Sequence, residues 1–361
     1  MHSNVEALNQ VKTGAHDSGG RGVIRAGEPI LIVTSFSRAP GGVTSYTKTF
    51  MDYCKRNSVR CEWVSIENFP NIRRSLVPVN LIGQFFGNLL GVDPLALSWV
   101  CRVVTLVLGL RLAISLRRRN YGRIVAMDVA ASWAVKPDVL IVHGAMADEA
   151  ARQVSPGFAF RFGCILESNG YGRARKVVAV DPALKSRIIR FHRSEVNMIP
   201  NPVDLEHFVI RDRDQAKLQL GFSTRRKLIA FIGHLPEKYV EEIPRWRSEA
   251  ERLGFATTHV RGISYDLMPL YLNAADLVVS MSRVVAYMRV AIESLACGTP
   301  VISNNSPLAS YSSPEQLINQ IGALRWPKSR QALRKKVLPF DANVICRKLL
   351  NFITADTREN N

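Results

Sequence analysis

The chain has 361 residues, 47% of them apolar and 22% charged, which suits two ordinary buried cores and argues against a disordered protein. Lysine and arginine number 48 against 30 acidic residues, giving a net charge of +18 and a pI near 10.0. Such a balance favours polyanionic company, whether nucleic acid, anionic lipid or phosphorylated substrates. Six scattered cysteines (Cys54, Cys61, Cys101, Cys164, Cys297 and Cys346) form no CxxC pair and have no histidine at metal spacing. They predict neither a disulfide framework nor a zinc site.

Residues 1–28 are polar, glycine-containing and aperiodic, without the charged-then-apolar pattern of a signal peptide, and read as a flexible leader. From Pro29 apolar runs alternate with longer helical stretches, which indicates a parallel sheet wrapped by helices. Pro29 to Ser35 is a buried strand, Arg38 to Gly42 a tight turn, Val43 to Lys55 a helix and Cys61 to Ile66 the next strand. Leu76 to Leu116 is unusually apolar and ends in Arg117, Arg118 and Arg119. Its longest uncharged helical stretch, Val103 to Leu110, is too short to span a bilayer, which takes about 20 residues. A core helix under the sheet and an amphipathic element resting on a membrane both remain open for it.

Strands follow at Arg123–Met127, Val139–Val142 and Lys176–Val180. Asp181 is placed to cap a helix that begins with Pro182. After a strand at Val196–Ile199, Pro200 and Pro202 forbid continuous regular structure and mark a domain boundary. The second half repeats the alternation on a smaller scale. Strands are predicted at Lys227–Ile232, Thr257–Val260, Asp276–Ser280 and Pro300–Ser303, with helices at Glu241–Leu253, Leu267–Ala274 and Met288–Ala296. The domains are therefore 29–200 and 201–340. The remainder, 341–361, carries a helix from Asp341 to Ile353 that is expected to pack back on the first domain.

Several segments together resemble the GT-B glycosyltransferases, specifically the large retaining family that uses sugar nucleotides (family 4-like). The glycine turn is Gly41–Tyr46 (GGVTSY), and the last strand and helix of the first domain are Val177–Lys185 (VVAVDPALK). The interdomain connection is Ile199–Phe208 (IPNPVDLEHF), with Pro202 where glycine is usual. Ala275–Ser280 (ADLVVS) and Glu293–Ile302 (ESLACGTPVI) resemble the donor-site strand and helix. The resemblance spans roughly Pro29 to Ser303. It implies an α/β fold of two facing Rossmann-like domains, the C-terminal one shortened by one strand-plus-helix unit between Lys238 and Ala275.

What the resemblance implies for the sites is residue-specific. Glu293 takes the place of the family's ribose-binding glutamate, while the first glutamate of the pair is replaced by Val285. In Gly233–Lys238 (GHLPEK) His234 stands at the arginine position, and Lys238 is retained one residue closer. Gly41 and Gly42 form the turn expected near the donor. Arg289 lies four residues before Glu293, on one helical face near the helix start. A cation there opposes the helix dipole unless an anion is present, so Arg289 is a candidate replacement for the lost arginine. At the strand ends of the first domain, Asp128 and His143 are the candidate catalytic groups, although a retaining mechanism needs no separate base.

The resemblance thus implies transfer of a sugar from a nucleotide-sugar donor to a lipid-linked or polysaccharide acceptor. A non-catalytic relative that partners an active transferase is the alternative, favoured by Val285, His234 and the shortened second domain. The setting expected is cytoplasmic, peripheral on the inner face of the membrane, with an anionic membrane surface as a further partner. No cofactor or metal is expected, since no Asp-x-Asp pair sits at a strand end. Nucleic acid is not expected as a partner, because only the charge suggests it.

Overall fold

The computed structural model describes residues 29–35, 42–65, 121–144, 165, 167–191, 195–232, 243–280, 289–303, 319 and 329–355. The expected leader, the apolar segment 76–116, and Gly41, His234, Lys238 and Val285 lie outside the described residues.

The first unit is a six-stranded parallel sheet. Its strands are β1 (Ile30–Val33), β2 (Cys61–Val64), β3 (Arg123–Ala126), β4 (Val139–Val142), β5 (Lys176–Ala179) and β6 (Val196–Met198), in the order β2-β1-β3-β4-β5-β6. Ile30 pairs with Cys61 on one side and Arg123 on the other, so the chain reverses direction across the sheet between β1 and β3. In open parallel sheets ligands bind outside the carboxyl ends of the strands at such a point. The short runs ILIV, RIVA and VLIV are fully buried, as expected where helices cover both faces.

Helix α1 (Gly42–Arg56) follows β1 and buries Tyr46, Thr47, Thr49, Phe50, Tyr53 and Cys54. The hydroxyls of Thr47 and Thr49 donate to the carbonyls of Val43 and Ser45, 2.8 and 2.9 Å away, which lets both threonines sit inside. Helix α2 (Val129–Ala134) is capped by Asp128, and α3 (Pro182–Phe191) begins where expected, with Asp181 Oδ1 accepting from the Leu184 amide at 2.8 Å.

The second sheet is smaller, with four parallel strands among the described residues. These are β7 (Leu228–Ile232), β8 (Ala256–Val260), β9 (Leu277–Ser280) and β10 (Val301–Ser303), in the order β10-β9-β7-β8. Its helices are α4 (Arg213–Gln219), α5 (Ile243–Arg252), α6 (Met268–Ala274), α7 (Arg289–Ala296) and α8 (Arg330–Lys335). Gly298, just past α7, has φ +68° and no room for a side chain: a Cβ there would lie 2.6 Å from Arg330 Cβ. Two arginines fasten this corner. Arg330 donates to the carbonyls of Arg211, Cys297 and Gly298, and Arg334 to those of Leu205, Phe208 and Ala296.

The two units are stitched by backbone. Val203 donates to the Phe340 carbonyl and accepts from the Ala342 amide, both at 2.8 Å. The last helix, α9 (Ala342–Thr354), buries Ala342, Ile345, Cys346, Leu349 and Ile353 in the core of the first sheet. Among the described residues no helix is long and apolar enough to cross a membrane.

Candidate functional site

The seam between the two sheets is built from α1 and the end of β4 on one side and from α7 and the loop after β8 on the other. At its centre Arg289 Nε donates to Glu293 Oε1 at 2.6 Å, and their side chains are only 7% and 4% exposed. The i, i+4 spacing on α7 brings the two together. Arg289 also reaches the opposite unit, with Nη2 3.4 Å from Thr49 Oγ1. Its guanidinium lies over the Tyr265 ring, 5.7 Å from the centroid, and His207 stacks on the same ring at 4.6 Å. At the rim Lys48 Nζ pairs with Asp266 Oδ1 at 2.9 Å and lies 4.9 Å from the Tyr265 centroid.

Burial sets the electrostatics. It pushes the Glu293 carboxyl up, while the charge and hydrogen bond of Arg289 draw it back down. His143 follows β4 and meets Tyr46 edge to face, ring centroids 4.7 Å apart. Burial and then the Arg289 charge push its imidazole down to about 3, against a hydrogen bond that the ring donates to Asn201, so it is neutral at physiological pH. Burial likewise pushes the Tyr265 phenol up to about 12. Three polar atoms of this seam are buried without a hydrogen-bond partner, Tyr46 Oη, His143 Nε2 and Arg289 Nη1, while the Tyr265 hydroxyl bonds the Thr49 side chain. Each of the three costs about 1–3 kcal/mol relative to a satisfied group.

Asp128 has a different setting. Its Oδ1 accepts from Ser35 Oγ at 2.6 Å and from the Ala131 amide at 2.7 Å, and its Oδ2 accepts from the Ser35 amide at 2.7 Å. The carboxylate therefore clamps the end of β1 to the start of α2 across the β1/β3 reversal. That geometry holds backbone in place. Gly42 opens α1 beside the seam. Of the expected site residues, His143, Arg289 and Glu293 come together here, and Asp128 stands apart as a cap.

Residues not singled out in the sequence complete the seam: Tyr46, Thr49, Asn201, His207 and Tyr265. Tyr46 falls within the glycine-turn motif and Asn201 and His207 within the interdomain motif, so those two motifs were the available signal. Tyr265 carries no motif.

No family model matches the chain. A curated relative, D-inositol 3-phosphate glycosyltransferase from Mycobacterium marinum, is 29% identical over 161 residues, which is 36% of this chain and 34% of that protein. The chain thus matches about a third of the length of that relative. Among solved structures, sucrose-phosphate synthase from Thermosynechococcus elongatus superposes over 90% of this chain and 98% of its own, with a TM-score of 0.66 and 16% identity. HepE from Anabaena, solved with UDP-glucose, covers 90% and 99% with a TM-score of 0.57 and 16% identity. WaaG, a glycosyltransferase involved in lipopolysaccharide biosynthesis, covers 91% and 100% with a TM-score of 0.56 and 14% identity. The two parallel sheets and their helices, matched over nine-tenths of the chain, give this protein the GT-B fold of these glycosyltransferases.

Proposed function

We propose that the chain is a glycosyltransferase that moves a sugar from a nucleotide-sugar donor to a lipid-linked or polysaccharide acceptor. The observation that carries the reading is the buried Arg289–Glu293 pair, which opens α7 and faces α1 across the seam of a GT-B fold. A carboxylate held there suits the ribose hydroxyls of a nucleotide, because hydrogen bonds to an ionised acceptor are the strong ones. Arg289 fixes the Glu293 side chain in position. Lys238 and His234, after β7, are the proposed cations for the diphosphate, with Gly41 and Gly42 allowing close backbone approach.

Chemically, the leaving nucleoside diphosphate gains negative charge as the sugar departs, so cationic and N–H donors near it lower the barrier. A base with a pKa near 3 removes a proton poorly at neutral pH, which argues against His143 as the general base. This supports a retaining course in which the departing phosphate itself accepts the acceptor's proton. The charge of +18 supports work at the anionic inner face of a membrane, from the cytoplasmic side.

A thermal-shift panel of sugar nucleotides and free nucleoside diphosphates tests the reading, since a ligand that binds the folded state raises the Tm by mass action. One donor should give a clear shift, and Glu293→Gln should abolish it. A flat response to the whole panel would sink the proposal. The second reading, a non-catalytic GT-B partner subunit, is favoured by Val285 and His234 in place of the donor-site glutamate and arginine.

A further inference from the structure

Helix α1 ends in a motif that brings two cysteines together. The Val59 amide donates to the Cys54 carbonyl at 2.9 Å and the Ser58 amide to the Lys55 carbonyl at 3.3 Å, with Ser58 itself at φ +57°. This pair of bonds around a left-handed residue is the Schellman stop. The chain then enters β2 at Cys61, where the Arg60 carbonyl accepts from the Ile30 amide at 2.8 Å and fixes the strand beside β1. Val59 and Cys61, two residues apart in this extended stretch, both pack against the core that buries Cys54.

The two thiols are free and hydrogen-bonded to one another. Both line one open cleft of about 910 Å³, with Asp52, Lys55, Arg60 and Glu62 around them. Cys54 is buried, whereas Cys61 is half-buried and is the sulfur that a solute in the cleft meets first. The surrounding charges number two of each sign, so the bond between the thiols decides which is the nucleophile. That bond, with burial second, pushes the Cys54 thiol up, and it draws Cys61 down against its own burial. The cleft is remote from the seam. Pro29 and Tyr121, which also line it, precede β1 and β3 at the amino ends of the strands, while His143 follows β4 at the carboxyl ends.

We propose that Cys54 and Cys61 form a reversible dithiol–disulfide site, oxidised by exchange with a low-molecular-weight disulfide. The Cys61 thiolate attacks one sulfur of that disulfide, forming a mixed disulfide and releasing one thiolate. Cys54 gives its proton to the released thiolate and attacks the Cys61 sulfur, closing the protein disulfide and releasing the second thiolate, which takes up the proton that Cys61 had lost. Two protein thiols are thereby oxidised and one small disulfide is reduced to two thiols; the reverse exchange restores the pair. Closure fastens the last turns of α1 to the first residue of β2.

The test equilibrates the full chain in glutathione buffers of increasing oxidised fraction, then alkylates it and digests it with trypsin. Cleavage after Lys48, Lys55, Arg60 and Arg73 puts the two cysteines in peptides 49–55 and 61–73, so mass spectrometry should find these two joined. Dithiothreitol should separate them. The equilibrium constant for closure should be at least about tenfold larger in the folded protein than in urea, because what a disulfide adds to a fold the fold returns to the disulfide. Cys54→Ala should trap glutathione on Cys61, and Cys61→Ser should leave Cys54 unmodified in the folded protein. The wild-type peptide map stands whether or not either variant folds. Both cysteines still alkylated in the most oxidising buffer would overturn the site. So would Cys54 joined to Cys346 instead, or closure no more favourable folded than unfolded. Glutathione accumulating on Cys54 of folded Cys61→Ser would overturn the assignment of Cys61 as the attacking thiol.

Discussion

Replacing Arg289 with methionine keeps most of the side chain's volume and removes its charge, leaving Glu293 as an uncompensated carboxylate that is 4% exposed. Breaking a buried pair in this way costs about 3–5 kcal/mol. The electrostatic part has a ceiling, because Glu293 can escape by taking up a proton. From an ordinary carboxyl value near 4.3, that escape costs about 3.7 kcal/mol at pH 7 and about 1 kcal/mol at pH 5. The sign follows from linkage. A carboxyl whose folded pKa is raised binds more protons folded than unfolded, so stability falls as pH rises from the unfolded value toward the folded one. Urea denaturation at pH 7 and pH 5 should show Arg289→Met losing about 3 kcal/mol at the higher pH and about 1 at the lower. Adding Glu293→Gln should recover most of the loss at pH 7. Equal losses at both pH values, or no recovery in the double variant, would refute the idea that the pair is held by charge.

Three further outcomes follow from the geometry. Asp128→Ala removes the described hydrogen bonds to Ser35 and Ala131 at the β1/β3 reversal and should lower stability by about 2–3 kcal/mol in urea denaturation, with Asp128→Asn recovering part of it; a neutral effect of Asp128→Ala would refute the clamp. Gly298→Ala should cost at least about 1–2 kcal/mol by thermal melting, since φ is +68° and the new Cβ would meet Arg330. The imidazole of His143, pushed down to about 3, should keep its NMR shifts constant from pH 5 to pH 8; a titration centred near 6.5 would show that it is neither buried nor beside Arg289.

Much of the fold was legible because parallel strands buried on both faces leave an unmistakable apolar run. Leu228–Ile232, Val139–Val142 and Leu277–Ser280 were read to within a residue, and the Asp181–Pro182 helix start came from capping chemistry alone. Helices Val129–Ala134, Arg213–Gln219 and Arg330–Lys335 went unread, since six or seven residues are too few for a 3.6-residue period to stand out. Their caps, Asp128, Asp212 and Ser329, were the remaining signal. At the site, the spacing of Arg289 and Glu293 put them on one face. Nothing local told that this face is buried against Thr49, 240 residues earlier in the chain. The same limit hid the setting of Asp128, whose partner Ser35 lies 93 residues away. Tyr265 was invisible for a related reason: its role comes only from what stacks on it.

The central claim is glycosyl transfer, and its most direct measurement is nucleoside diphosphate release. Phosphorus NMR would follow the protein with the sugar nucleotide that stabilises it, with and without a membrane lipid extract as acceptor source. The account predicts diphosphate release that the extract accelerates and that Glu293→Gln abolishes. A donor that binds yet stays intact with every acceptor offered would contradict it and leave the partner-subunit reading in its place.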